Sequence, residues 1–280
     1  MREEYDAPIL HDKKRNGYHY TSQFQIPVDL ALTQEDFSAL ELAANTLTQF
    51  KHLRVFEAFN NLFFKITHTV NHLIQENQNS HIHFEKVPFY KGTEHIDSCL
   101  KAIEYQRIIR FLYHSPHSKT PILHVVHPYE LKEHTNRWYL VAWMPEYQSY
   151  TPFALDRILS DEVKIMEREF GRDQSFNIET YFEFAIGMTV YHDQPIEDVI
   201  LEFQPKQAQF FKSKPFHNYD IIEETNDKLI VRLRLIIHQE KRNYELVRKI
   251  VSMGDGVKVI QPQVLIDQVK GYLHAALNQY

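Results

Sequence analysis

The alternation of apolar and polar positions divides the chain into stretches of different period. Between residues 33 and 79 apolar side chains recur three and four apart: Phe37, Leu40, Leu42, Ala43 and Leu47, then Phe56, Phe59, Leu62, Phe63, Ile66, Val70 and Leu73. This spacing predicts two helices, most economically an antiparallel pair, with a capping-box pattern at Thr33–Asp36. Residues 81–91 alternate as a strand or extended connector, and Ile96 to Tyr105 predicts a short helix. The character of the chain then changes over residues 107–168. Ile108–Tyr113, Ile122–Leu131, Trp138–Met144, Tyr150–Leu155 and Leu159–Met166 predict five short, closely spaced strands, which favours a small barrel. Pro128 implies an edge or a bulge, because proline has no N–H for the ladder. Glu133–Asn136 predicts a turn.

A polar bend and a short helix over 170–188 predict a linker. From 190 the order is strand, helix, strand, strand, helix, strand, helix, an α+β sandwich of ferredoxin-like order. Within it Leu229, Val231, Leu233, Leu235 and Ile237 alternate with Arg232 and Arg234. Asn243 is expected to cap the helix from Tyr244 to Met253, and Gly254 to end it. Near the start, Asn16-Gly17 predicts a hairpin returning through Tyr18-His19-Tyr20, since both turn residues tolerate positive φ.

Composition narrows the function. The chain has 280 residues, 43% hydrophobic and 24% charged, enough for about two domains with packed cores. Its seven glycines include one Gly-x-Gly, Gly254-Asp255-Gly256, with no third glycine three residues later and no Walker lysine, which argues against a glycine-rich phosphate loop. One cysteine, Cys99, excludes an internal disulfide framework and a multi-cysteine zinc site, and fits a reducing cytoplasm. No signal-type or membrane-length apolar run is present, so cytoplasmic residence without membrane contact is expected. The net charge of −6 confines any nucleic-acid contact to a local patch.

Three blocks in fixed order carry a family resemblance: His127-Pro128-Tyr129-Glu130-Leu131, then Trp138-Tyr139-Leu140-Val141-Ala142, then Phe153-Ala154-Leu155-Asp156-Arg157-Ile158. Together they resemble the WYL-domain family of bacterial transcriptional regulators. Residues 190–280, with Leu246, Ile250, Gly254 and Val259-Ile260-x-Pro262, resemble the WCX extension that follows many WYL domains. Residues 2–20 resemble the end of the winged helix-turn-helix that precedes them. The resemblance implies a layout of wing hairpin (1–22), helical linker and dimerisation region (23–97), SH3/Sm-like WYL β-barrel (98–168), linker (169–189) and ferredoxin-like WCX domain (190–280). It also implies a homodimeric, ligand-responsive regulator, not an enzyme and without a cofactor. DNA would be bound through a winged helix largely missing here. The effector would be single-stranded DNA, RNA or a nucleotide-like anion. An accessory RNA- or ssDNA-binding module is the first alternative and an uncharacterised enzyme the second, although no nucleophile–base pair supports the latter.

The resemblance assigns ligand binding to Arg157, Tyr113, His124, His127, Tyr139 and Thr151. Arg157 can clamp a phosphate with its planar fork, or else pair with Asp156 or Asp161. Tyr113 and Tyr139 can stack on bases, or else pack in the core. The family often has arginine at the positions of His124 and Thr151, so here His124 and His127 would supply positive charge only when protonated. Lys13, Lys14 and Arg15 in the first hairpin could meet DNA phosphate as a wing does. Lys212, Lys214, Arg232 and Arg234 could form a basic face, or a solvated one. Four histidines in two pairs, His68 with His72 and His81 with His83, share faces but lack a third ligand, so no metal site is expected.

Overall fold

The computed structural model describes residues 8–13, 17–22, 39, 91–159 and 163–280. The predicted helical pair, the connector at 81–90 and both histidine pairs lie outside the described residues. The chain forms two compact units, residues 1–87 and 88–280. In the first, strands β1 (Ile9–Asp12) and β2 (Gly17–Tyr20) make the expected antiparallel hairpin, in register from Ile9↔Tyr20 to Asp12↔Gly17. Thr21 donates its N–H and its hydroxyl to the Pro8 carbonyl at 2.8 and 3.1 Å, closing the open end.

The second unit has α+β character, built on two antiparallel sheets. Helix α1 (Ile96–Glu104) buries Ile96, Cys99 and Ala102 against β3 (Arg107–Tyr113) and β4 (Ile122–His134). Strands β5 (Arg137–Met144), β6 (Ser149–Ala154) and β7 (Lys164–Glu169) complete a sheet of order β6-β5-β4-β3-β7. The turn between β4 and β5 is Thr135-Asn136, both at positive φ (48° and 62°), the backbone a two-residue hairpin demands. It is tighter than the sequence suggested, because both strands extend further.

Strand β4 is shared. Its residues 122–126 pair with β3 and its residues 127–134 pair with β5. Pro128 sits where one partner hands over to the other, and the register shifts between Pro128 and Glu130. The proline is therefore accommodated beside a bulge, in a stretch of β4 that pairs with β5 alone. Tyr129 is the extra residue, and it turns into a cluster with Ile108 and Phe170 that Trp143, Tyr150, Met166 and Phe176 complete. The other face of the sheet carries the main core, including Ile109, Phe111, Val126, Leu140, Phe153 and Leu155. The last strand departs from expectation: it starts at Lys164, not Leu159. Residues Leu155–Arg157 form a 3-10 turn instead, and Ile158 bridges to Tyr113.

The connector after β7 is fastened at both ends. Arg172 bonds the Tyr129 carbonyl (3.0 Å) and Glu130 (2.5 Å). Within helix α2 (Ile178–Phe182), Tyr181 donates to the Tyr150 carbonyl (2.9 Å). Further on, the Phe184 carbonyl accepts from Ile236 N–H (2.8 Å).

Strands β8 (Ile196–Phe203), β9 (Asp220–Glu224), β10 (Leu229–Ile236) and β11 (Val257–Gln261) follow, with helices α3 (Pro205–Ser213), α4 (Tyr244–Val251) and α5 (Gln263–Leu277) in the expected order. Their sheet order is β11-β8-β10-β9. The alternation in β10 sends Leu229, Val231, Leu233 and Leu235 into a core with Phe203, Phe211, Leu246, Val247, Ile250 and Leu265. Asn243 occupies the N-cap position of α4 but does not cap it. Its amide is spent on His238 N–H, the His238 carbonyl and Gln268 (all 3.0 Å), tying the end of β10 to α5.

Candidate functional site

A cleft lined by Arg157, Lys241, Arg242 and Arg248 lies among the described residues. It encloses about 930 Å³ between the β5–β6 side of the first sheet and the β10–α4 side of the second. Tyr139 on β5, Thr151 on β6 and Arg157 on the following turn line one wall. Lys241 and Arg242, in the loop before α4, line the other with Tyr244, Glu245 and Arg248. Helical spacing explains the second wall: Leu246, Val247 and Ile250 are buried, which leaves Tyr244 and Arg248, four apart, on the exposed face.

Arg157 is half-buried, and its side chain has no ion-pair partner among the described residues. Its neighbour Asp156 is taken by Arg137, with Nη2 3.3 Å from the carboxylate. The turn is set from behind by Gly92. Its φ is 94°, and a Cβ there would collide with the Leu155 carbonyl group and the Asp156 nitrogen.

The other proposed ligand residues are dispersed. Tyr113 is buried, its hydroxyl accepting from Ala154 N–H at 3.3 Å, and its ring stands edge-on to Phe153 at 5.2 Å. It is a core residue in this fold, closed to a stacking base. His124 lies against the same rings, 5.0 Å from Phe153 and 6.1 Å from Phe111. Burial holds its pKa below the ordinary histidine value, against the opposing charge of Glu146. His127 faces the opposite side of β4 and stacks on Phe170 at 4.7 Å. Its pKa is also lowered, by burial and then by Arg168. Neither histidine lines the cleft, so the structure brings together Arg157, Tyr139 and Thr151 only.

A family model for the WYL domain matches residues 94–163. The chain carries a WYL domain. The match runs from the turn before α1 to the residue before β7, and includes the three sequence blocks and the Arg157 wall. The WYL domain thus holds one side of the cleft, while Lys241, Arg242 and Arg248 lie outside the matched segment. Among solved structures, the chain is similar to proteasome accessory factor B/C (PafBC) of Arthrobacter aurescens, at 18% identity over 89% of this chain and 36% of that one, with a TM-score of 0.32. It is also similar to a CRISPR Cas-related protein, at 10% identity over 67% of this chain and 51% of that one, with a TM-score of 0.44. The chain therefore spans between about a third and a half of the length of these two structures. No curated protein matches it.

Sequence reasoning overlooked Lys241, Arg242, Arg248 and Tyr244. The one available signal was the Lys241-Arg242 pair just ahead of an amphipathic helix. The cations it singled out instead are largely engaged: Lys212 with Glu224 at 2.6 Å, and Arg232 with Asp220 at 2.9 Å. Arg234 lies over the Phe184 ring at 5.5 Å. Of the first hairpin's basic residues, Lys13 is exposed, while Lys14 and Arg15 lie outside the described residues. Among the described residues no group of histidine, cysteine, aspartate and glutamate is placed to hold a metal, and no helix is long and apolar enough to cross a membrane.

Proposed function

We propose that this chain is the sensory part of a WYL-type transcriptional regulator, and that its WYL domain binds a nucleotide or a short nucleic-acid fragment through Arg157. The observation that carries the reading is the state of that guanidinium. It lines a large cleft, beside Tyr139 and Thr151, while the adjacent carboxylate is neutralised by Arg137. A guanidinium without a carboxylate partner offers two parallel donors to a phosphate, and a tyrosine beside it offers a π-face to a base. The protein acts by binding, not catalysis; its one thiol, Cys99, is buried and pushed up to about 12 by burial.

In this reading the first sheet is an SH3-like barrel and the second a ferredoxin-like WCX domain, and the β1–β2 hairpin is the wing of a winged helix that contacts promoter DNA. The protein works as a cytoplasmic homodimer, the symmetry that palindromic sites require. The test is a fluorescence-anisotropy titration with a labelled single-stranded pentanucleotide. A charge-assisted hydrogen bond contributes about 1.5–3 kcal/mol, so Arg157→Ala is expected to weaken binding roughly 10- to 100-fold. Binding equal to wild type would make Arg157 a structural residue and overturn the proposal.

A further inference from the structure

The wall of the cleft that lies outside the WYL domain has a composition of its own. Lys241, Arg242 and Arg248 have no carboxylate partner among the described residues, whereas Lys212, Lys228 and Arg232 of the same domain pair at 2.6, 3.0 and 2.9 Å. Among the described residues the one carboxylate lining the cleft, Glu245, is occupied. Its two oxygens accept from the N–H groups of Met188 and Thr189 at 3.1–3.2 Å. Among the described residues four permanent cations, counting Arg157, thus face one committed carboxylate, on a chain whose net charge is −6.

The loop that presents these cations is held in place. His238 Nδ1 accepts from the N–H groups of Glu240 and Lys241 at 3.1 and 2.9 Å. Gln268 donates to the Lys241 carbonyl at 3.1 Å and accepts from Asn243 N–H at 2.9 Å. Both His238 and Asn243 are buried. The Arg242 guanidinium lies over the Tyr244 ring, 5.1 Å from its centre, so cationic and aromatic surfaces alternate along the wall. The ordering cost of the loop is met by folding and is not charged to ligand binding.

We propose that the C-terminal domain supplies the second half of the ligand site. Lys241, Arg242 and Arg248 hold the phosphates of a single-stranded oligonucleotide whose first phosphate is held by Arg157, with Tyr244 as a stacking platform. The ligand is then a multi-phosphate strand, not a mononucleotide, and it bridges the WYL domain to the domain behind it. The cleft volume of about 930 Å³ is at the upper end of the roughly 300–1,000 Å³ typical of small-ligand sites, which favours an occupant longer than one nucleotide. This inference rests on the Arg157 reading above and extends it.

The experiment measures the salt dependence of pentanucleotide and mononucleotide binding to the full chain, by anisotropy and competition. Each single-strand phosphate contact contributes about 0.7 to the slope of log K against log salt, so four contacts predict a slope of about −2.8. The triple variant Lys241→Ala, Arg242→Ala, Arg248→Ala is expected to bind the pentanucleotide at least tenfold more weakly, with a slope of about −0.7. Mononucleotide binding should change less than twofold. All three side chains are exposed, so their truncation is compatible with folding; Arg242→Gln alone, with a predicted loss of about 0.7 in slope, is the second variant. Lys212→Ala is the control and should leave both slopes unchanged. A triple variant with wild-type affinity and slope, alongside a weakened Arg157→Ala, overturns this inference and leaves the Arg157 reading standing. A wild-type chain that binds neither probe overturns both.

Discussion

Removing the Tyr129 ring is expected to be one of the most costly single changes in the WYL domain. Tyr129 is 2% exposed, and its ring centre lies 5.0 Å from Tyr150, 5.2 Å from Phe176 and 5.6 Å from Phe170. The Arg172 guanidinium sits over the ring at 5.0 Å, and the hydroxyl accepts from Asp173 N–H at 2.8 Å. Truncating a buried aromatic ring to alanine costs about 3–5 kcal/mol, transfer and cavity together. Tyr129→Phe keeps the ring and loses only the hydrogen bond, about 1–2 kcal/mol with the Asp173 donor left short of a partner. For a unit of this size each kcal/mol moves the midpoint by roughly 2–4 °C. The alanine variant should therefore melt about 6–20 °C lower and the phenylalanine variant about 2–8 °C lower. Both tryptophans of the chain, Trp138 and Trp143, lie on β5, and Trp143 packs against the Tyr129 cluster. Urea unfolding followed by tryptophan fluorescence thus reads the relevant region directly. An alanine variant within about 1 kcal/mol of wild type, or a phenylalanine variant as costly as alanine, would refute the packing argument.

Three further outcomes are expected. His95, His124, His127 and His192 all have pKa values lowered chiefly by burial, so the fold holds them neutral. The unfolded chain takes up protons near pH 6.5, so their contribution is present above that pH and is lost as pH falls toward the folded values. Melting at pH 5.5 should fall below melting at pH 7.5, with a smaller drop for His124→Gln; identical midpoints would contradict the burial argument. Cys99 is fully buried with its thiol pushed up to about 12, so iodoacetamide should label it only in denaturant, and mass spectrometry showing rapid native labelling would disprove the packing of α1. Gly92→Ala puts a Cβ against the backbone of Leu155 and Asp156 at a left-handed φ, and should cost about 1–3 kcal/mol by calorimetry while also weakening binding through Arg157; an unchanged melting curve would show that the turn is not supported from that side.

How much of this was legible before the structure depends on whether a residue has a face. Strand β10 alternates between core and solvent, and β3 does so over most of its length, whereas β5 and β6 are legible as short apolar runs bounded by turn residues. Strand β7 has one half-buried side chain, Met166, and five exposed ones, and the apolar residues just before it drew the expectation forward to Leu159. Pro128 was read correctly as an irregularity, but the sequence cannot say that two partners exchange at that point. The WYL resemblance was carried by three local blocks, which a family match confirms. The cleft was not legible, because its walls come from positions far apart in the chain, 139–157 and 241–248, with connector residues 185–191 between them. Asn243 shows the same limit: its position is that of a cap, while its amide answers to His238 and Gln268.

The shared strand β4 has a consequence for the order in which the WYL domain assembles. Strands β3, β4, β5 and β6 pair with their neighbours in sequence, so each step of that meander closes a short loop and can proceed locally. Strand β7 pairs back onto β3 across the whole meander, joining Glu169 to Arg107, and contributes no fully buried side chain. It has the most entropy to overcome and the least apolar surface to gain. Amide hydrogens in β7 should accordingly exchange through local opening, well ahead of those in β4 and β5, whose release requires the main core to come apart. Because Phe170 follows β7 directly and packs against Tyr129, each such opening also loosens the start of the connector whose later residues, Ala185 to Tyr191, line the cleft.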